Sequence, residues 1–307
     1  MTVVSTRSRV VVGVDDSPKA IDVVRYALEL ARERRMDLVL AHAWSFPWAA
    51  GYFTADDVRA IGSDARAATV ALIEQLDVPT DMHVEIVLAQ QPAVLFLRRL
   101  SKTCALLVVG RHEHWAERLL DGDVSSALAS SSFCPVVTVP VGWRSQAARS
   151  GSVLVCLDGD TSARGPLEFA FGEADVSGRE LVVFHAVDIG AGTDSLEADR
   201  RDIAEITAGW QEQYPGVVVR YELGLDDVGK SIGVAARKAS MVVVGSPHVH
   251  RSTWTWLYSL ARSVVDRIDC PLVVTPQREP APRTTATLHT AQKTEQTASA
   301  LLPIPTY

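Results

Sequence analysis

VVVGVDDSP (Val10 to Pro18) and VLVCLDGDT (Val153 to Thr161) are one phrase written twice, 143 positions apart (153 − 10). Three more phrases repeat behind them. LVLAHAW (Leu38 to Trp44) returns as LVVFHAV (Leu181 to Val187), LLVVGRHEH (Leu106 to His114) as VVVGSPHVH (Val242 to His250), and FCPVVTVP (Phe133 to Pro140) as DCPLVVTP (Asp269 to Pro276). Asp15 to His42 and Asp158 to His185 both span 27 positions (42 − 15 and 185 − 158). Self-similarity at fixed spacing over the whole chain means a duplicated unit, so a description of one copy is a hypothesis about the other.

Within each copy, short apolar runs alternate with amphipathic stretches, the pattern of repeated strand–helix units around a parallel sheet buried on both faces. The runs predict five strands in the first copy, Val10–Val14, Leu38–Ala43, Val84–Leu88, Ala105–Val109 and Val136–Val139. Five more follow in the second, Val153–Leu157, Leu181–Val187, Val217–Glu222, Met241–Val244 and Leu272–Thr275. For the first helix, Ser17 suits the N-cap, Pro18 the first helical position, and Ile21, Val24, Leu28 and Ala31 form an apolar stripe; Leu167, Ala170, Phe171 and Ala174 are its counterpart. The polar, small-residue stretch Gly142 to Gly151 is read as a linker between a first domain at 1–141 and a second at 152–276. The aperiodic Thr-, Ala- and Pro-rich segment 277–307 is read as a disordered tail.

Composition bounds the function. The 307 residues suit two domains, and 47% hydrophobic with 22% charged residues is the balance of a globular chain. A net charge of −7 argues against nucleic acid as a partner. No apolar run is long enough to serve as a signal peptide or to span a bilayer, so a cytoplasmic protein without membrane partners is expected. Cys104, Cys134, Cys156 and Cys270 lack the close spacing of zinc or thiol-redox sites and are read as small buried apolar residues.

Ligands of open parallel sheets bind beyond the carboxyl ends of the strands, where strand order reverses. Asp15 and Asp158 end the first strand of each copy, where a carboxylate would either accept from an adenine amino group or ribose hydroxyl, or cap the following helix. His42 and His185 end the second strands, beside the place an adenine would occupy, but are more readily explained as partly buried histidines donating to backbone carbonyls. His112-x-His114 and His248-x-His250 are offset between the copies, and no metal site is expected. Trp115, Trp254 and Trp256 are read as aromatic filling of loops. No nucleophile elbow, Walker loop or dinucleotide fingerprint occurs, so no catalytic residue is assigned.

An Asp after strand one, Gly110 after strand four with a loop of about a dozen residues, the helix start Val124-Ser125-Ser126-Ala127 and Cys134-Pro135 before strand five together resemble the universal stress protein family. The resemblance covers both copies. It implies two tandem Rossmann-like (adenine nucleotide alpha hydrolase-like) α/β domains, each a five-stranded parallel sheet of order 3-2-1-4-5 with flanking helices. It further implies association through the fifth strand and, in one subgroup, ATP held with Mg²⁺ by Gly-x2-Gly-x9-Gly-Ser/Thr. Glycines let backbone approach phosphate, and a hydroxyl with free N–H groups at a helix start cradles the anion.

Carried onto this chain, the ligand residues are Asp15, His42, Gly110, Gly122 and Ser125 in the first copy, and Asp158, His185, Gly245, Ser246 and Ser259 in the second. Both motifs are degraded. In the first, Glu113 replaces the second glycine and Asp123 follows Gly122 in place of a hydroxyl residue; in the second, His248 and Tyr258 replace glycines while Ser259 remains. Gln90-Gln91-Pro92 also departs from the family's Gly-x-Pro, and the second copy keeps Gly224 with Asp226 in the proline's place. A carboxylate about 4 Å from phosphate costs several kcal/mol at an effective dielectric near ~20, so ATP binding is expected to be weakened or lost, with the second copy favoured. At most a weak ATPase is expected.

The fifth strands predict an intramolecular pseudo-dimer, since Val136–Val139 and Leu272–Thr275 would otherwise be exposed apolar edges. A homodimer and an unidentified protein partner complete the expected associations. One alternative is a dimerisation scaffold that binds no nucleotide. Another is a phosphoacceptor receiver, for which Asp15-Asp16 would supply the acid pair; the first copy lacks the acceptor Asp after strand three and the Lys after strand five.

Overall fold

The computed structural model describes residues 8–44, 54–111, 124–140, 142–143, 151–157, 163–186, 193–224, 228–246 and 268–276. Described elements of the first copy are β1 (Arg9–Val14), α1 (Ala20–Glu33), β2 (Asp37–Trp44), α2 (Ala55–Glu74), β3 (Val84–Gln90), α3 (Ala93–Leu100), β4 (Leu106–Gly110), α4 (Val124–Ser131) and β5 (Val136–Val139). Those of the second are β6 (Ser152–Leu157), α5 (Arg164–Ser177), β7 (Leu181–Ala186), α6 (Thr193–Gln213), β8 (Val219–Gly224), α7 (Val228–Ala236), β9 (Ala239–Gly245) and β10 (Leu272–Thr275).

The ten strands form one sheet in the order β3-β2-β1-β4-β5-β10-β9-β6-β7-β8. Every pairing within a copy is parallel. The junction is antiparallel, with Leu272 opposite Thr138, Val273 opposite Val137 and Val274 opposite Val136. Both junction strands are buried along their whole length, so pairing them removes two apolar edges at once.

Alternation along the strands sends side chains to the two faces of the sheet. On one face Val10, Val12, Leu28, Leu30 and Trp143 share a single cluster with Val153, Val155, Leu167, Phe169 and Phe171, so this core runs through both copies. The opposite face carries separate clusters, one around Phe96, Leu97, Leu107 and Leu128 and the other around Phe184, Ile232, Ile268 and Cys270. A buried ion pair seals the shared side. The guanidinium of Arg34, just after α1, pairs with Glu173 of α5 and lies over the Phe169 ring at 5.1 Å, while Arg179 stands 3.9 Å from the same carboxylate. Glu173 is only 2% exposed, and burial pushes its carboxyl above the ordinary range against the pull of Arg34 and Arg179.

Two sequence expectations need correction. Helix α1 starts at Ala20 with Lys19 in the N-cap position and no side-chain cap; Ser17 and Pro18 lie in the turn before it. Asp15 Oδ1 accepts the Ser17 N–H at 3.0 Å and the Ser17 carbonyl accepts from Ala20 at 3.1 Å, which spends the capping residue on a turn. Strand β8 begins two residues late, because Val217 N–H turns back to the Tyr214 carbonyl at 3.1 Å. Trp143, inside the stretch read as linker, is buried edge-on to Tyr26 with ring centroids 4.9 Å apart. The segment 277–307 lies outside the described residues.

Candidate functional site

A cavity of about 420 Å³ opens at the carboxyl ends of β1, β4 and β5. Gly13 and Val14 from β1, Ala41 and Ala43 from β2, Val109 and Gly110 from β4 and Leu97 from α3 form its apolar walls, and Asp15, Lys19, Asp22 and Arg111 supply its charges. This is where the order reverses, since β1 pairs with β2 on one side and with β4 on the other. Two glycines keep the walls thin. A Cβ on Gly13 would meet Leu97 Cδ1 at 2.9 Å, and one on Gly110 would meet Val23 Cγ2 at 3.0 Å.

Among the sequence-predicted residues, Asp15 stands exposed on the rim with its hydrogen bond to Ser17 engaging Oδ1. Gly110 lies in the wall and Ser125 is buried in the first turn of α4, next to the lining residue Val124. His42 is committed to its own surroundings. Thr69 Oγ1 donates to the Ala65 carbonyl at 2.7 Å, so it accepts from His42 Nδ1 at 3.2 Å, and His42 Nε2 sits 3.7 Å from the exposed Asp16 carboxylate. The expected backbone partner is thus a hydroxyl in the first copy. In the second, His185 Nδ1 donates to the Leu157 carbonyl at 3.0 Å.

Gly245 ends β9 in register with Thr275, and a Cβ there would stand 3.3 Å from Pro166 Cγ. Ser246 N–H bonds the Thr275 carbonyl at 2.9 Å, just as Arg111 N–H bonds Val139 at 2.8 Å, so the turn after the fourth strand leaves the sheet alike in both copies. Asp158, Gly122 and Ser259 lie outside the described residues, as do Glu113, Asp123, His248, Tyr258, both His-x-His pairs and the three loop tryptophans.

Sequence reasoning missed Arg111. It lines the first cavity and its Nη1 donates to the Ile268 carbonyl of the second copy at 3.1 Å, so one side chain serves both the cleft and the junction. The available signal was a basic residue directly after the strand-four glycine, where the second copy has Ser246. It also missed a pair of thiols: Cys104 and Cys134, read as small buried apolar residues, have their Sγ atoms 3.5 Å apart, and Cys104 is only half-buried. At the position equivalent to Gly13 the second copy carries Cys156, whose thiol burial pushes up to about 12.

Among the described residues no group of three or more His, Cys, Asp or Glu side chains is placed to hold a metal ion, and no helix is long and apolar enough to cross a membrane.

The model of the universal stress protein family matches this chain twice, over residues 6–140 and 150–276. A universal stress protein of Mycobacterium tuberculosis is 34% identical over 264 residues, covering 77% of this chain and 86% of the relative. Another from Mycolicibacterium smegmatis is 28% identical over 288 residues, covering 88% and 97%. Among solved structures, a universal stress protein from Archaeoglobus fulgidus DSM 4304 superposes with a TM-score of 0.69 at 19% identity, covering 88% of this chain and 96% of that one, a likeness of fold.

Proposed function

From the premise that the chain belongs to the universal stress protein family and carries the family domain twice, we propose that it binds an adenine nucleotide at the cavity beyond β1 and β4. On this reading it acts in the cytoplasm as a stress-response binding or signalling protein and not as an enzyme. The observation that carries the reading is the cavity itself, about 420 Å³ with a carboxylate, Asp15, and a guanidinium, Arg111, both in its lining. A carboxylate suits the amino or hydroxyl donors of a nucleoside, and a guanidinium suits phosphate oxygens in bidentate geometry. Gly110 lets the ligand approach backbone where a side chain would intrude. Mg²⁺ would be held mainly by the nucleotide's own phosphates, since the first copy's described carboxylates do not form a cluster.

The two copies compete as the seat of the ligand. Charge in the phosphate loops favours the second, because Glu113 and Asp123 belong to the first copy while Ser259 remains in the second. Lys19 and Arg111 in the lining of the first copy's cavity weigh toward the first. Calorimetric titration of the full chain with ATP and Mg²⁺, repeated for Asp15→Ala and Asp158→Ala, decides between them. Binding lost in Asp15→Ala and kept in Asp158→Ala seats the nucleotide in the first copy; the reverse seats it in the second. A flat titration of the wild-type chain, with no nucleotide released on denaturation, would leave the scaffold reading in place.

A further inference from the structure

Thirty positions separate Cys104 from Cys134 (134 − 104), yet their sulfurs lie 3.5 Å apart. Topology brings them together. Each cysteine stands two residues before its strand, Cys104 ahead of Leu106 and Cys134 ahead of Val136, and β4 and β5 are neighbours in parallel register with Leu107 opposite Val136. Both strand entries are fastened. Phe133 N–H donates to Ser101 Oγ at 3.1 Å, Arg98 Nε to the Ser131 carbonyl at 3.1 Å, Leu107 N–H to the Pro135 carbonyl at 3.0 Å and Ala105 N–H to the Arg9 carbonyl at 2.9 Å. Backbone already fixed on both sides leaves the sulfurs poised to bond by side-chain adjustment.

The two thiols differ in chemistry. Cys134 is 3% exposed, whereas Cys104 is partly open to solvent. The hydrogen bond between the two sulfurs holds Cys104 below the ordinary thiol range despite burial, and Arg9 adds to the effect. The second copy supplies the contrast: burial pushes both Cys156 and Cys270 up to about 12, which keeps their sulfurs protonated and unreactive.

We propose that Cys104 and Cys134 are a redox couple, with Cys104 the sulfur attacked first by a hydroperoxide and Cys134 the resolving thiol. The Cys104 thiolate attacks one peroxide oxygen, the S–O bond forms, the O–O bond breaks, and the departing alkoxide or hydroxide takes up a proton. Cys104 is then a sulfenic acid, oxidised by two electrons while the peroxide is reduced to an alcohol or water. The Cys134 sulfur attacks the Cys104 sulfur, S–S forms, S–O breaks, and hydroxide leaves with the Cys134 proton as water. The sum is two thiols and one hydroperoxide giving one disulfide, one alcohol (water from hydrogen peroxide) and one water.

The test uses the reduced full-length chain treated with hydrogen peroxide, blocked with an alkylating agent and examined by intact mass and peptide mapping. The expected product has lost two hydrogens, links the peptides containing Cys104 and Cys134, leaves Cys156 and Cys270 alkylated, and returns to four alkylated thiols if dithiothreitol precedes blocking. In Cys134→Ser, a dimedone-type probe is expected to label Cys104, since nothing resolves its sulfenic acid. Recovery of Cys104 and Cys134 both alkylated, under peroxide that fully oxidises free glutathione, would overturn the proposal. So would accumulation of Cys104 sulfinic acid beside a free Cys134 in the wild-type chain.

Discussion

Laid over one another, the two copies agree at the core and part at the cleft. Val10 and Val153, Val12 and Val155, Leu38 and Leu181 occupy the same buried places. Gly13 faces Cys156, Asp16 faces Gly159 and Arg111 faces Ser246. A buried strand position is answerable to packing density, which tolerates only side chains of similar volume. A cleft position is answerable to a ligand, and two clefts in one chain need not answer to the same one. Duplication here has kept one scaffold and let the residues after its strands diverge.

The comparison breaks most severely if the shared core is cut at its ion pair. Arg34→Ala leaves the buried Glu173 carboxylate with Arg179 alone and is expected to cost about 3 kcal/mol or more, read as a fall in melting temperature. Both copies should still melt in a single transition; two transitions would show that they fold independently after all. The same carboxyl gives a pH signature. Its folded value is raised, so the folded chain holds this proton more tightly than the unfolded chain. Its contribution to stability is therefore complete below the ordinary value of 4.5 and is lost as pH rises through the folded value. Glu173→Gln should flatten that part of the stability–pH curve, and an unchanged slope would assign it to another group.

A smaller effect sharpens the contrast at the clefts. Arg111→Ala removes a cation from the first cavity and its contact to Ile268, and ATP affinity in calorimetry should fall about tenfold, or ~1.4 kcal/mol. Ser246→Ala, the matching change in the second copy, should alter it little if the first cavity is the seat. Equal losses would mean that the two clefts contribute alike.

The smallest concerns the turn after the first helix. Arg35 adopts φ 53°, while its counterpart Gly178 adopts φ 65° in the same turn of the second copy. Arg35→Gly should therefore stabilise the chain by about 1 kcal/mol, a rise of roughly 2 °C in melting temperature. No gain would mean that the flexibility added to the unfolded chain cancels the strain removed.

Most of the scaffold was legible because strands buried on both faces carry continuous apolar runs, and because each phrase came with a second copy to align. The apolar stripe Leu167, Ala170, Phe171 and Ala174 is fully buried as the pattern requires. What was illegible depends on contacts far apart in sequence. The Cys104–Cys134 approach exists only because β4 and β5 are adjacent. Trp143 looks like linker because its cover, Tyr26, lies more than a hundred positions away (143 − 26 = 117). Arg111 gains its meaning from Ile268, which belongs to the other copy. At the start of α1 the failure was local: two side chains suited to capping lay in one turn, and Asp15 claimed the Ser17 N–H.

The antiparallel junction between β5 and β10 has a directional consequence. Because each copy is parallel within itself, the strands of one half run against those of the other, and the two sets of strand exits open on opposite margins. Each margin near the junction is thus a composite, made of one half's exits and the other half's entries. On one margin the first cavity, with Arg111, meets the approach to β10 at Ile268. On the other, the entries at Cys104 and Cys134 lie toward the side on which the second half's strands end. A single copy would have only its own strand entries along that margin.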